Sequence, residues 1–594
     1  MPERAASMAQ VFDRTAQHHG ARVFLRDKRD KVWHDHSWTA ISEAAGRLRA
    51  GLIRLGIKPG DRVAILSDNS PQWVIVDQAV LGLGATTVPL YTTSNIEETR
   101  HVLSDSGARI VAANGPEMVK KILGMAGSIP EVGGVIAVHY GAEPQGASNG
   151  SPPVMTLASA SGDLAAGITE GSRDDLATII YTSGTTGPSK GVMLTHGNLL
   201  ANCEDALKVL GLNETDSILS FLPVAHSFER TAGYYTVMMG GGTIAYAEGL
   251  TQIAANLQEI RPTIVLTVPR LLEVIYGRVK KGVESSPAIR RAIFNAAIAT
   301  GAKAAEYRHR GRPLPPHLAL MMPLYRKLVF KRIVDIFGGR VRYMISGGAP
   351  LPVEINRMLA AAEIPIVEGY GLTETSPIVS VNLHGMNRIG TVGRPLPHVE
   401  TKTAADGELL VRGPTVMKGY YHREDETRAT IDPDGWLHTG DIAQIDAEGY
   451  IKITDRKKEI IVLSGGKNIS PANLETRLAT DSYISQVCVI GDRRKHLAAL
   501  IVPNLENLAD FLKQNQLAAQ APEEIVKAPA VKQLFQDRIH EFNKPLSDVE
   551  KIAEFTLLPR PWTQEAGELT PSLKMRRKVV QEHCKDQIES MYRE

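Results

Sequence analysis

Cysteine is scarce in this chain: Cys203, Cys488 and Cys584 are the only three among 594 residues. They lie far apart, without the paired spacing of a zinc site or a thioredoxin-like motif, and the usage fits a reducing compartment. Net charge is also small. Lys and Arg number 67 against 65 Asp and Glu, a formal +2, which gives no global electrostatic reason to expect nucleic acid as a partner. Unbroken apolar runs of about 20 residues are missing too. The uncharged stretch from Thr231 to Ala247 is interrupted by Gly240-Gly241-Gly242, so no segment reads as a membrane span. The opening residues, Met1-Pro-Glu-Arg-Ala-Ala6, carry charge but no apolar core of a secretory signal, and the expected location is cytoplasmic.

A hydrophobic share of 43% with 22% charged residues describes an ordinary globular protein and excludes wholesale disorder, collagen and coiled coil. At about 150 residues per domain the length allows about four domains, or fewer large ones. Helical and extended patterns alternate along most of it. Thr39 is placed to cap a stripe of Ile41, Ala45, Leu48, Leu52 and Leu55 that Gly56 ends, and Val63 to Leu66 then reads as a strand. The same alternation returns at Trp73 to Leu83 with Thr86 to Leu90, and at Ile253 to Ile260 with Ile264 to Val268. The fold class is therefore α/β, with mostly parallel and mixed sheets flanked by helices. Gly141 to Arg173, rich in Gly, Ser, Ala and Pro, reads mostly as surface loop leading to the strand Ala177 to Tyr181.

A composition shift at Asp455-Arg456-Lys457-Lys458 precedes a compact pattern with strands at Val487 to Ile490 and Leu497 to Val502. The expected division is a large N-terminal body, 1–455, and a small mobile α+β domain, 456–594.

The most informative segment follows the strand ending at Tyr181: Thr182-Ser183-Gly184-Thr185-Thr186-Gly187-Pro188-Ser189-Lys190-Gly191. Glycines and small hydroxyls let backbone amides approach a polyphosphate, and Lys190 adds a cation. The GK[ST] ending of a Walker A loop is absent, so this phosphate loop is of another kind.

This loop closely resembles the signature of the adenylate-forming enzymes, the superfamily of acyl-CoA synthetases, luciferases and peptide-synthetase adenylation domains. The resemblance continues in order through His226-Ser-Phe-Glu-Arg230, Ser346-Gly347-Gly348-Ala349-Pro350, Glu368-Gly369-Tyr370-Gly371-Leu372-Thr373-Glu374, Asp434 to Asp441, Asp455 to Lys458 and Thr570-Pro-Ser-Leu-Lys574. Arg230, four residues after the histidine, is similar to the wording of long-chain fatty acyl-CoA synthetases.

The resemblance implies ATP, Mg²⁺ and CoA as participants. Attack of a carboxylate on the α-phosphate builds charge on phosphoryl oxygens, so positioned cations and backbone donors matter more than a protein nucleophile. By resemblance Glu374, with Thr185, is the expected Mg²⁺ ligand, and Thr185 and Thr186 meet the β- and γ-phosphate oxygens. Tyr370 offers a flat face to adenine, with the Gly347 to Pro350 backbone on the other side. Asp441 would accept the ribose hydroxyls, assisted by Arg456; His226 would lie near the carboxylate. Lys574 would reach the carboxylate and α-phosphate during adenylation. A hinge at Lys458 would then withdraw it and present Ser464 to Asn468 for the thiolation step.

Two further expectations concern the substrate. Tyr234, Tyr235, Val237, Met238 and Met239 beside Gly240 to Gly242 are candidates to line an apolar tunnel. Arg278 to Arg312 holds nine Lys/Arg against two Glu, interleaved with Ile289, Ile293, Phe294, Ala297 and Ile298, which suits peripheral contact with an anionic membrane at its inner face. The reading is ATP-dependent activation of a long-chain fatty acid through acyl-AMP to acyl-CoA, releasing AMP and pyrophosphate; an oligomer is compatible with it. Two alternatives stay open: an acyl-AMP ligase that loads a carrier protein, and a CoA ligase for aryl or shorter acids. A non-catalytic nucleotide-binding regulator would be expected to lose Lys574 or Glu374, and both are present.

Overall fold

The structure, a computed structural model, describes residues 5–138, 152–163, 166–182, 188–309, 311–382, 387–518, 520–570 and 574–593. The phosphate-loop residues Ser183, Gly184, Thr185, Thr186 and Gly187 and the stretch 571–573 lie outside the described residues.

Two large sheets form the N-terminal body. One has eight strands, with Arg62–Leu66, Thr86–Leu90, Ile110–Asn114 and Leu176–Thr182 in parallel and Lys190–Thr195 returning antiparallel to the last of these. The other has nine, with Ser217–Ser220, Thr243–Tyr246, Ile264–Thr267, Tyr343–Ser346 and Ile366–Gly371 in parallel and an antiparallel edge beyond. The alternation seen in the sequence is thus the strand and crossover pattern of parallel sheets.

The helix Pro71–Leu83 is buried on every side and touches strands of both sheets, as its unbroken apolar sequence requires. Its one buried charge, Asp77, is matched by Arg230, whose Nη2 lies against Asp77 Oδ1. Arg230 also donates from Nη1 to Thr178 Oγ1 at 2.8 Å, from Nη2 to Thr87 Oγ1 at 2.6 Å, and from Nε to Tyr235 Oη at 3.0 Å. This guanidinium therefore ties the eight-stranded sheet to the segment that carries His226. Tyr234 and Tyr235, expected to line a tunnel, pack in the core, with Tyr235 Oη donating to Asp77 and Tyr234 Oη accepting from Gln78.

A four-stranded antiparallel sheet, Glu400–Thr403, Glu408–Arg412, Leu437–Ile445 and Ile451–Arg456, closes the body. Beyond it, Ile484–Ile490, Leu497–Pro503 and Ile552–Leu557 form a separate sheet, covered by helices. Its apolar clusters draw only on residues from Ile461 onward.

Two local expectations are corrected. The helix expected to be capped by Thr39 is Trp38–Arg54, capped by Ser37, because Trp38 is fully buried and stacks on Phe24 with ring centroids 3.7 Å apart. In the region read as surface loop, Val154–Thr156 forms a strand and Leu157–Ala160 a turn of helix. Ala160 is fully buried because Gly51 leaves room for it: a Cβ on Gly51 would stand 1.7 Å from the Ala160 carbonyl oxygen. The three cysteines are buried and free. Among the described residues, no helix is long and apolar enough to cross a membrane.

Candidate active site

The strand Ile366–Gly371 carries Tyr370 to the end of the parallel sheet, where ligand crevices of open α/β folds form. Tyr370 Oη donates to Asp441 Oδ2 at 2.5 Å, and Arg456 Nε donates to Asp441 Oδ1 at 3.0 Å. Burial and the Asp441 carboxylate raise the Tyr370 phenol well above its ordinary value, so it stays a donor at neutral pH. Gly371 admits no side chain, because a Cβ would meet the Pro377 carbonyl oxygen at 1.7 Å. The turn that follows carries Thr373 and Glu374 back beside the same strand.

Two contacts join this turn to neighbouring motifs. Ser227 Oγ lies 3.1 Å from Thr373 Oγ1, linking it to the His226 segment. Tyr420 Oη donates to Glu374 Oε1 at 2.9 Å, while Glu374 Oε2 has no hydrogen-bond partner among the described residues. One open carboxylate oxygen suits Mg²⁺, which takes one or two carboxylates and fills the rest of its shell with waters and substrate phosphates. Among the described residues no group of three His, Cys, Asp or Glu forms a metal cage of its own. Lys190 pairs with Glu426 and lies 4.9 Å from the Tyr420 ring centroid, and Thr182 pairs with Lys190 across the strands.

His226 Nδ1 accepts the Phe228 N–H at 3.1 Å, which leaves Nε2 as the N–H donor of a neutral ring. Surrounding protein and the Lys574 charge push this imidazole down to about 3. Phe228 covers Gly347, whose added Cβ would stand 3.1 Å from the ring. Gly348, Ala349 and Pro350 are exposed beside it, with Gly348 in a left-handed conformation. Glu368 is buried and accepts from Asn356 Nδ2 at 3.0 Å; desolvation pushes its carboxyl up to about 7. Its side chain thus engages the helix Val353–Ala361, while the backbone of Gly369 continues the strand.

Lys574 comes from the other end of the chain and is held against Thr570. Thr570 N donates to Lys574 O at 2.8 Å, Lys574 N donates to Thr570 Oγ1 at 3.0 Å, and Leu569 and Met575 pair below. Glu568, fully buried, braces the base by accepting Arg560 through both oxygens, with His583 Nδ1 3.0 Å away. The Lys574 side chain is open to solvent yet crowded by protein. Crowding first, then Arg456, lowers its ammonium below the ordinary value, while Asp441, Glu374 and Glu459 pull it up. Lys574 thus lies within electrostatic reach of His226, Glu374, Asp441 and Arg456, residues dispersed over some 350 positions of sequence.

Lys457 bonds to Asp406 Oδ2 at 2.6 Å and Glu408 Oε2 at 3.1 Å, and Lys458 follows in an exposed turn. Sequence reasoning missed Tyr420, Ser227 and the Glu98–Arg576 contact at 2.7 Å, since pairs formed across such separations leave no local pattern.

Residues 12–421 match the AMP-binding enzyme family, and residues 458–594 match the AMP-binding enzyme C-terminal domain. Among curated proteins, the chain is 36% identical to the long-chain-fatty-acid–CoA ligase FadD15 of Mycobacterium tuberculosis, over 95% of this chain and 93% of that one. It is 32% identical to the peroxisomal long chain acyl-CoA synthetase 7 of Arabidopsis thaliana, over 96% and 83%. Among solved structures, it resembles the adenylation domain of a carboxylate reductase from Mycobacterium chelonae, with a TM-score of 0.81, 24% identity and coverage of 100% and 92%. It also resembles the anthranilate CoA ligase AuaEII with anthranoyl-AMP, with a TM-score of 0.74, 19% identity and coverage of 99% of each chain. At these identities the two structures speak to the fold.

Proposed function

Because the chain belongs to the AMP-binding enzyme family and is similar to long-chain fatty acid:CoA ligases, we propose that it activates long-chain fatty acids with ATP and transfers them to CoA. The observation that carries this reading is that Lys574 lies within electrostatic reach of Glu374, Asp441, Arg456 and His226.

In the first step a fatty carboxylate oxygen attacks the α-phosphorus of ATP, the bond to the β-phosphate oxygen breaks, and pyrophosphate leaves. Lys574 spans the attacking carboxylate and the α-phosphate oxygens, where negative charge accumulates. His226, neutral and with Nε2–H free to donate, holds an oxygen of the carboxylate by donating a hydrogen bond to it. Asp441 releases part of its bond to Tyr370 to accept ribose hydroxyls, Arg456 fixes that carboxylate, and Tyr370 lies against adenine with Gly347 to Pro350 opposite. The Thr182 to Lys190 loop, with Ser183, Gly184, Thr186 and Gly187, cradles the phosphates. Glu374 and the Thr185 hydroxyl would hold Mg²⁺, which would neutralise charge on the departing pyrophosphate.

In the second step the CoA sulfur attacks the acyl carbonyl, the thiol proton passes to solvent, and AMP leaves with the carbon–oxygen bond pair. Lys574 then stands where the thiol must approach. A body of residues 1–455 and a mobile domain of 456–594, rotating at Lys458, remove it. Lys457, paired with Asp406 and Glu408, ties the start of that domain to the body.

Measuring the half-reactions of Lys574→Met separately tests the assignment. Pyrophosphate release with a fatty acid is expected to fall by at least about 100-fold, with thioester formation from supplied acyl-AMP and CoA within about threefold of wild type. Full pyrophosphate release from the variant would contradict it.

A further inference from the structure

The helix that starts at Pro316–Tyr325 and continues through residue 336 is apolar on two faces. Leu318, Met322, Tyr325, Val329 and Ile333 form the inner face and are buried. Leu320, Met321, Leu324 and Leu328 lie on the outer face, and Leu320 is 79% exposed. Nothing among the described residues covers them. Of the fourteen large apolar side chains that are exposed among the described residues, eight fall between Val274 and Leu328, including Ile289 and Ile293 on the adjoining helix Ala288–His309. Glu363 ties the two helices by pairing with Arg308 on one and Arg326 on the other. Scattered exposed leucines need no explanation, but a clustered set on one helix face does.

Charge says what covers it. Residues 269–340 hold fifteen Lys/Arg against four Asp/Glu in a chain whose whole formal charge is +2. Lys327, Lys331 and Arg332 are exposed beside the leucines. We propose that the outer face of this helix, with the adjoining basic helix, docks the protein on an anionic lipid bilayer. The leucines enter the boundary between head groups and acyl chains while the lysines and arginines meet lipid phosphates, the division of labour of an interfacial amphipathic helix. A second copy of the chain is a poorer occupant, because a two-fold contact sets this strongly basic surface against itself. The docking stands on surface chemistry alone. Its use, the capture of long acyl chains dissolved in the bilayer, rests on the proposed fatty acid reaction.

The full chain is tested by flotation with vesicles of phosphatidylcholine and of phosphatidylcholine with phosphatidylglycerol. Partition onto the anionic vesicles is expected to be at least about tenfold stronger and to weaken with salt. The double variant Leu320→Ser/Leu324→Ser is expected to lose about tenfold of that partition. It should keep the wild-type melting temperature and the wild-type rate on a water-soluble acid. Equal partition onto both lipids, no partition onto either, or wild-type partition by the double variant overturns the proposal. So does a solution dimer that the double variant dissolves while vesicles bind neither protein. Failure of the fatty acid reading looks different: no thioester forms, and flotation is unchanged.

Discussion

Arg576 Nη2 and Glu98 Oε1 meet at 2.7 Å, across 478 residues of sequence, joining the N-terminal body to the segment that carries Lys574. Arg576 stands two residues after Lys574, so the rotation proposed to withdraw the lysine would break this pair, and the contact would favour the arrangement proposed for adenylation.

Glu98→Gln follows from this geometry as a selective lesion. Both side chains are 29% exposed, and partly exposed pairs contribute about 0.2–1 kcal/mol. Acyl-AMP formation, followed by pyrophosphate release, should slow by about two- to fivefold. Thioester formation from supplied acyl-AMP should hold or rise. Equal slowing of both half-reactions would contradict the latch.

The Asp77–Arg230 pair predicts a stability loss without chemistry. Both side chains are essentially inaccessible, and removing one member leaves the other charged in a closed interior. Asp77→Ala should cost about 3–5 kcal/mol, measured by urea denaturation. A loss below about 1 kcal/mol would mean that water or rearrangement compensates.

Glu229 predicts a pH dependence of stability. It is buried next to Ser220, which donates to Oε1 at 2.6 Å, while Oε2 has no partner, and desolvation pushes the carboxyl up to about 8. A raised folded value favours the protonated acid in the native state. The stability it supplies is complete below about 4.5 and drains away as pH rises towards about 8. Glu229→Gln should remove that slope, up to about 1.4 kcal/mol per pH unit, and make the variant the more stable protein at pH 8. Parallel stability curves for the two proteins would contradict the assignment.

His226 slopes the other way. Its folded value near 3 lies below the ordinary 6.5, so the native state loses stability as pH falls from about 6.5 towards 3. His226→Gln should flatten this acid limb in thermal melts. An unchanged limb would place the acid sensitivity elsewhere.

Much of this was legible in the sequence because it is written locally. Strand and helix alternate where apolar residues do, and the helix Pro71–Leu83 is as buried as its composition demands. The segments around Tyr370, Asp441 and Lys574 stand out because each keeps chemistry-bearing residues within a few positions. What was not legible depends on distant neighbours. Ser37 rather than Thr39 caps its helix because Trp38 stacks on Phe24, and both hydroxyls looked equally suitable. The strand and turn at 154–160 exist because Gly51, a hundred residues earlier, leaves space for Ala160. Arg230 read as a mark of kinship, while its bonds show a guanidinium fastening three layers of the fold.

The central claim is settled most directly by mass spectrometry of the purified protein incubated with Mg·ATP, CoA and a mixture of short, medium, long-chain and aromatic acids. Long-chain acyl-CoA accompanied by AMP is the predicted outcome. Long-chain acyl-AMP accumulating without thioester, or thioesters of the short or aromatic acids in its place, would contradict it.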